Sequence, residues 1–387
     1  MVNVDTTPCA GAAVASTGAV AHVAGCPRLA HAKSAPRPVG ATSTAGVVGT
    51  LGAVAAQLDP AAAELGVRTR RRSSRPGDVA RALDEGRIIK TFAFRGATHL
   101  MTPDEAGVYL ALRAASRMWE RPSWQSHYQL APADWPALRE AVREALIDGP
   151  MTRPELAAAV ASHPRFAHLA PAFTDPSATF LKPLAWRGDL SLGPLREGQL
   201  TLQRLDGNPR WSGLPHLDEA GPRAIEAYLR AYGPASADNL QYWLGEGLGV
   251  RRTLIRQWVA RLDGRLCTVD VEAEPRLVLS DDVDELVAAR PTSAVRLLPK
   301  YDQWVLGPGT RDVHVVPAEL RSDVSRGANV VVVGGVVAGT WSLTGQAVVT
   351  SWGADAAMPA HDDLDTEVAR LAEIVGRPLH RSTAGAT

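Results

Sequence analysis

The sequence predicts a mainly helical α+β protein: three consecutive helix-turn-helix units, each closed by a strand pair, and then a small β domain. Three observations lead there. A helix-break-helix pattern recurs, with Gly149-Pro150-Met151-Thr152-Arg153-Pro154-Glu155-Leu156 echoed by Gly233-Pro234-Ala235-Ser236-Ala237-Asp238-Asn239-Leu240. Helical apolar spacing before and after these breaks gives way to period-two alternation. From Val295 onward short apolar runs and glycine turns replace helical spacing.

The first 46 residues precede any of this. They are rich in Ala, Thr, Ser, Gly and Pro, carry little charge, and cannot bury enough apolar surface to offset chain entropy, so a mobile tail is expected. Asp5 and the weakly apolar run Ala10 to Ala24 make a poor export signal. No stretch approaches the ~18 apolar residues of a membrane-spanning helix. Cys9, Cys26 and Cys267 have no metal-ligand spacing, which fits a reducing cytosol.

In the first unit (residues 47–145), Val79, Ala82 and Leu83 mark a helix and Ile88 to Phe94 a strand. Thr102-Pro103-Asp104-Glu105 opens a further helix. In the second (146–215), Thr152 caps a helix with Glu155 reaching back and Pro154 in the first turn. Phe180, Leu181 and Leu184 suggest another helix, and Leu190/Leu192 with Leu200/Leu202 flank a hairpin.

The third unit (216–290) is the most complete. Ile225, Tyr228, Leu229 and Tyr232 form one stripe, which Leu240, Trp243 and Leu244 continue. Leu254, Trp258 and Leu262 face inward from a helix bearing Arg251, Arg252, Arg256 and Arg261. Cys267, Val269 and Val271 then alternate with polar residues opposite Leu277 to Leu279. Three helices and a hairpin make a winged helix. In the last segment (291–376), strands are expected at Val330 to Val333, Val336 to Trp341 and Ala347 to Trp352, with Gly334-Gly335 as a turn. A final helix places Leu364, Val368, Leu371 and Val375 on one face and stops at Gly376. Residues 377–387 read as a second tail.

Lysines plus arginines and aspartates plus glutamates both total 41, so the net charge is zero. That argues against an indiscriminate nucleic-acid coat, but not against a local basic face. Two clusters qualify, Arg68-Arg70-Arg71-Arg72-Arg75 and Arg251-Arg252-Arg256, and each also fits an ordinary solvated surface.

Four segments carry a family resemblance: Arg95-Gly96-Ala97-Thr98-His99-Leu100, Tyr232-Gly233-Pro234-Ala235-Ser236, Leu297-Leu298-Pro299-Lys300-Tyr301-Asp302-Gln303-Trp304-Val305-Leu306-Gly307, and Gly334-Gly335-Val336-Val337-Ala338-Gly339-Thr340-Trp341. Together and in this order they resemble the AlkZ-like DNA glycosylases. The resemblance implies three tandem winged-helix units around a DNA-binding channel and a small C-terminal β-barrel. It implies monofunctional excision of N7-alkylguanine-type bases, including bulky and cross-linked ones, for repair or self-resistance to a genotoxic product. The expected partner is double-stranded DNA carrying alkylated bases. No cofactor, metal or membrane is expected, and the protein is expected to be a monomer in the cytoplasm, at the nucleoid.

The family's Gln-Φ-Gln or Gln-Φ-Asp signature (Φ apolar) falls on Val54-Ala55-Ala56-Gln57-Leu58-Asp59-Pro60. Either Gln57-Leu58-Asp59 is the motif, or Gln57 is the second glutamine and Ala55 replaces the first. In the first register Asp59 accepts a proton from water while Gln57 orients it. Against this, Asp59-Pro60 is also an ordinary helix start. Arg68, Arg70, Arg71, Arg95, His99, Arg251, Arg252 and Arg256 are the expected DNA contacts, and Tyr301 and Asp302 the expected channel lining. Each has a plainer alternative: a strand histidine bonded to backbone for His99, an interdomain tie for Arg95, a loop aspartate capping amides for Asp302. A non-catalytic winged-helix regulator that places Arg251, Arg252 and Arg256 in a major groove is the rival function.

Overall fold

The computed structural model describes residues 20–22, 43–57 and 60–382. Three successive segments follow one order of elements: helix, short strand, helix, helix, hairpin. The first runs through helix Thr44–Leu51, strand Val54–Ala55, helices Pro60–Arg68 and Asp78–Asp84, and strands Ile89–Phe92 and Thr98–Met101. The second has helix Trp135–Ala145, strand Met151–Thr152, helices Arg153–Ala161 and Leu181–Trp186, and strands Leu190–Arg196 and Gln199–Arg204. The third has helix Leu217–Tyr232, a bridge between Ala235 and Leu277, helical residues from Ala237 to Glu246, helix Arg252–Arg261, and strands Leu266–Val271 and Glu274–Leu279.

Local chemistry accounts for these elements. The Thr152 hydroxyl accepts from the Glu155 amide, and the Thr152 amide donates to the Glu155 carboxylate at 2.7 Å, so two otherwise orphaned donors are satisfied at one helix start. Ser236 and Asn239 repeat the device. The Ser43 side chain accepts from Gly46, so the first helix begins at Thr44, inside the stretch expected to be a tail. Val20–His22, also in that stretch, lie parallel to Leu266–Val271.

The hairpins of the first two segments do not stand apart. Lys90 pairs with Leu192, merging them into one six-stranded sheet with Val54–Ala55 at one edge and Met151–Thr152 at the other. One core, including Phe94, Tyr109, Trp135, Trp186, Tyr228, Trp243 and Trp258, runs beneath all three segments. A smaller one, built on Val47, Val48, Val67 and Leu100, serves the first alone. In helix Arg252–Arg261 the buried positions are Ile255 and Trp258, while Leu254, expected inward, is half-buried.

The C-terminal sheet is curled and open, a half-barrel rather than the expected barrel. Val295–Leu298, Asn329–Val333, Val336–Thr344 and Ala347–Trp352 pair antiparallel in sequence order, and His380–Arg381 adds a short parallel edge. Helix His361–Val375, not a further strand, covers the sheet with Leu364, Val368 and Leu371. Its last buried residue is Ile374. Val375, expected on that face, is exposed.

Candidate DNA-facing site

Strand Val54–Ala55 pairs with the strand that carries His99, setting Val54 opposite Leu100 and Ala55 opposite His99. The ladder continues for one more bond, with the Ala56 amide donating to the Thr98 carbonyl at 2.9 Å. Gln57 follows at once and is exposed. One more step of this register would set Gln57 at the level of Ala97, the residue that follows the turn Phe94–Gly96. Leu58 and Asp59 lie outside the described residues, and the next helix begins at Pro60.

The turn is built to hold Arg95 outward. Phe94 is buried, its ring centred 4.1 Å from that of Trp243 and 5.3 Å from that of His99. Arg95 has φ 53 and ψ 20, a left-handed conformation that costs a residue with a Cβ roughly 1–2 kcal/mol. Its guanidinium lies over the Tyr242 ring, 4.3 Å from the centroid. Tyr242 belongs to the third segment, so the first segment's hairpin turn docks there through an apolar anchor and a stacked cation.

His99, expected as a DNA contact, is 5% exposed, and its Nδ1 lies 3.1 Å from the Ala97 carbonyl. Burial lowers its pKa from 6.5 to about 4; the Arg95 charge adds to this and the Ala97 bond opposes it. A neutral, buried imidazole has no charge to offer a phosphate, so the backbone-bonded reading replaces the expected contact.

The first arginine cluster, also expected at DNA, is instead engaged by partners inside the protein. Arg68 and Arg70 are 5% and 2% exposed. Arg68 donates to the Ile374 carbonyl at 2.6 Å and to Ser74 Oγ at 3.1 Å. Arg70 forms a two-pronged pair with Asp302 at 2.6 and 2.8 Å and donates to the Gly66 carbonyl at 2.7 Å. Half-buried Arg71 pairs with Asp78. These groups tie the first segment together and lock it to the C-terminal one. Asp302, expected to line a channel, is buried against Arg70 and accepts from the Trp304 amide at 2.8 Å. Tyr301, half-buried at φ 58, donates to the Arg326 carbonyl at 3.4 Å.

The remaining arginines are exposed. Arg251 sits at the start of helix Arg252–Arg261, Arg252 reaches Asp238 at 3.2 Å and Gln241 at 3.4 Å, and Arg256 projects from the next turn. Gln241 adjoins Tyr242, so contacts run from the hairpin beside Gln57 through Arg95 and Tyr242 to Arg252.

The model of the AlkZ-like DNA glycosylases matches residues 48–374, nearly all of the described chain. The chain belongs to the AlkZ-like DNA glycosylase family. An interstrand DNA cross-link repair glycosylase of Streptomyces sahachiroi is 37% identical over 315 residues, 80% of this chain and 84% of that protein. The solved structure of the Streptomyces sahachiroi DNA glycosylase AlkZ superposes with a TM-score of 0.84 at 33% identity, covering 92% of this chain and 99% of that one.

The region shared with the AlkZ-like family contains Gln57, Arg95, Tyr242 and the exposed arginines. Among the described residues no His, Cys, Asp and Glu side chains group as metal ligands, and no helix is long and apolar enough to cross a membrane. Sequence reasoning missed Tyr242 and Lys182. Tyr242 sits among aromatic residues that pack, and nothing in its spacing separates it from them.

Proposed function

We propose that this AlkZ-like protein is a monofunctional DNA glycosylase that removes N7-alkylguanine-type bases, bulky or cross-linked ones included, from duplex DNA. Alkylation at N7 makes the guanine cationic, so its glycosidic bond is already weak. Water adds to C1′ of the deoxyribose, the C1′–N9 bond breaks with its electron pair going to the base, and the water proton passes to the Asp59 carboxylate. Asp59 also steadies the oxocarbenium-like sugar, and Gln57 orients the water. No amine takes part, so no Schiff base forms.

The observation that carries this reading is the exposure of Gln57, which follows the edge strand Val54–Ala55 where its pairing with the Arg95 hairpin ends. A glutamine turned into the core would have served packing instead. The repeated order of helix, strand, helix, helix and hairpin supports three winged-helix units that present Arg251, Arg252 and Arg256 to DNA. The protein is taken to act as a monomer at the nucleoid, in repair or in self-resistance.

The test is excision from duplexes carrying N7-methylguanine and larger N7 adducts, read as strand breaks after heating in alkali. Gln57→Ala and Asp59→Asn are expected to slow base release by about 10²–10⁴-fold. Normal breakage in both variants would overturn the assigned roles. DNA binding without base release from any adduct would select a non-catalytic binder.

A further inference from the structure

Tyr242 does more than pack. It meets two other parts of the chain: the Arg95 guanidinium of the first segment's turn lies over its ring at 4.3 Å, and Gly309 of the C-terminal segment closes on its edge, while its neighbour Trp243 stacks on Phe94 of the same turn. A Cβ at Gly309 would lie 2.9 Å from the ring, and with φ +92 the backbone there suits only glycine well. The ring is thus braced from the C-terminal segment while it braces the hairpin of the first.

Arg95 differs from most arginines around it. Arg252 answers to Asp238, and Arg276 to Glu274 and Asp312, while Arg311 lies 3.8 Å from Glu246. Arg95 has no carboxylate partner among the described residues, and neither has Lys182, whose side chain passes Gly96 of the same turn. Two cations without counter-charges among the described residues therefore meet at a turn whose backbone is strained at the arginine itself. A glycine at 95 would relieve that strain, and an arginine there is explained by where its charge points. Guanidinium groups are weakly hydrated, stack on aromatic faces and match phosphate oxygens, so a stacked and unpaired one is prepared for an anion.

We propose that Tyr242 is a positioning residue: its ring holds the Arg95 guanidinium beside Gln57, where Arg95, with Lys182, grips a DNA-backbone phosphate next to the lesion's deoxyribose. The lesion beside the phosphate rests on the glycosylase reading; the phosphate grip does not. A grip at that point would fix the sugar relative to Gln57. Loosening it should therefore slow base release even when all enzyme is bound to DNA, since small misplacements of reacting groups cost up to about 10²-fold.

The test uses the full chain and an unmodified DNA duplex, with binding followed by fluorescence anisotropy over a series of KCl concentrations. Each phosphate contact adds about 0.9 to the slope of log K against log salt. Arg95→Ala should make the slope shallower by about that amount. Tyr242→Leu should do the same although it removes no charge, the double variant should lose no more than either single one, and Tyr242→Phe should restore the slope. A wild-type slope in Tyr242→Leu beside a shallower one in Arg95→Ala would overturn the positioning role. A wild-type slope in Arg95→Ala, an exposed change that leaves the core intact, would overturn the phosphate grip. Single-turnover release of N7-methylguanine is measured alongside. Slope changes as expected with no base release from any protein, wild type included, would keep the grip and sink the glycosylase reading.

Discussion

Acidification tests the account of His99 directly. An imidazole whose pKa falls from 6.5 unfolded to about 4 folded resists protonation in the native state. Between those values the unfolded chain binds more protons, so stability rises with pH. The contribution is complete above pH 6.5 and is lost as pH falls toward 4. At 1.36 kcal/mol per unit, the full effect is about 3 kcal/mol, of which roughly 2 kcal/mol is gone by pH 5. The assay compares urea unfolding of wild type and His99→Gln at pH 7.5, 6 and 5. The variant has no proton to gain at this site, so the difference between the two proteins isolates it from the other histidines. The advantage of wild type should shrink by roughly 2 kcal/mol between pH 7.5 and 5. Parallel loss of stability in both proteins, or an NMR titration of the His99 ring near 6.5, would refute the argument from burial. Since the ring is neutral at pH 7, His99→Gln should also leave the salt slope of DNA binding unchanged.

Two further changes probe the packing that holds the site. Removing either partner of the buried Arg70–Asp302 pair strands a charge, so Arg70→Ala or Asp302→Ala should cost about 3–5 kcal/mol in urea unfolding. Replacing both by apolar residues, Arg70→Met with Asp302→Leu, should recover much of it, and equal losses in single and double variants would show that the charges are not what matters. Gly221→Ala would place a Cβ 2.1 Å from the Trp258 ring, and overpacking there should lower stability by about 1–3 kcal/mol in thermal melts. An unchanged melting temperature would mean that the two helices separate more easily than their contact suggests.

Much of the fold was legible in the chain because its causes are local. The Thr152–Glu155 cap, the positive φ of both Gly334 and Gly335, and the buried stripe Ile225, Tyr228, Leu229 and Tyr232 each follow from residues within a few positions of one another. Gln57 was legible as a candidate only through resemblance. Its exposure was not, because a glutamine before a helix reads the same whether it faces solvent or core.

What the sequence alone determined is many of the elements, their order and the family to which they belong, since spacing and capping act over a turn or two; the helix Thr44–Leu51, begun inside the expected tail, was not among them. Which charges are free was decided only by tertiary structure. Arg68 and Arg70 read as surface cations, yet their partners are a carbonyl at Ile374 and a carboxylate at Asp302, more than 200 positions along the chain. Arg95 stays available because Tyr242, from another segment, receives it on a ring face and not on a carboxylate. An ion pair depends on distance in space, and a run of arginines in a sequence says nothing about which of them folding will bury.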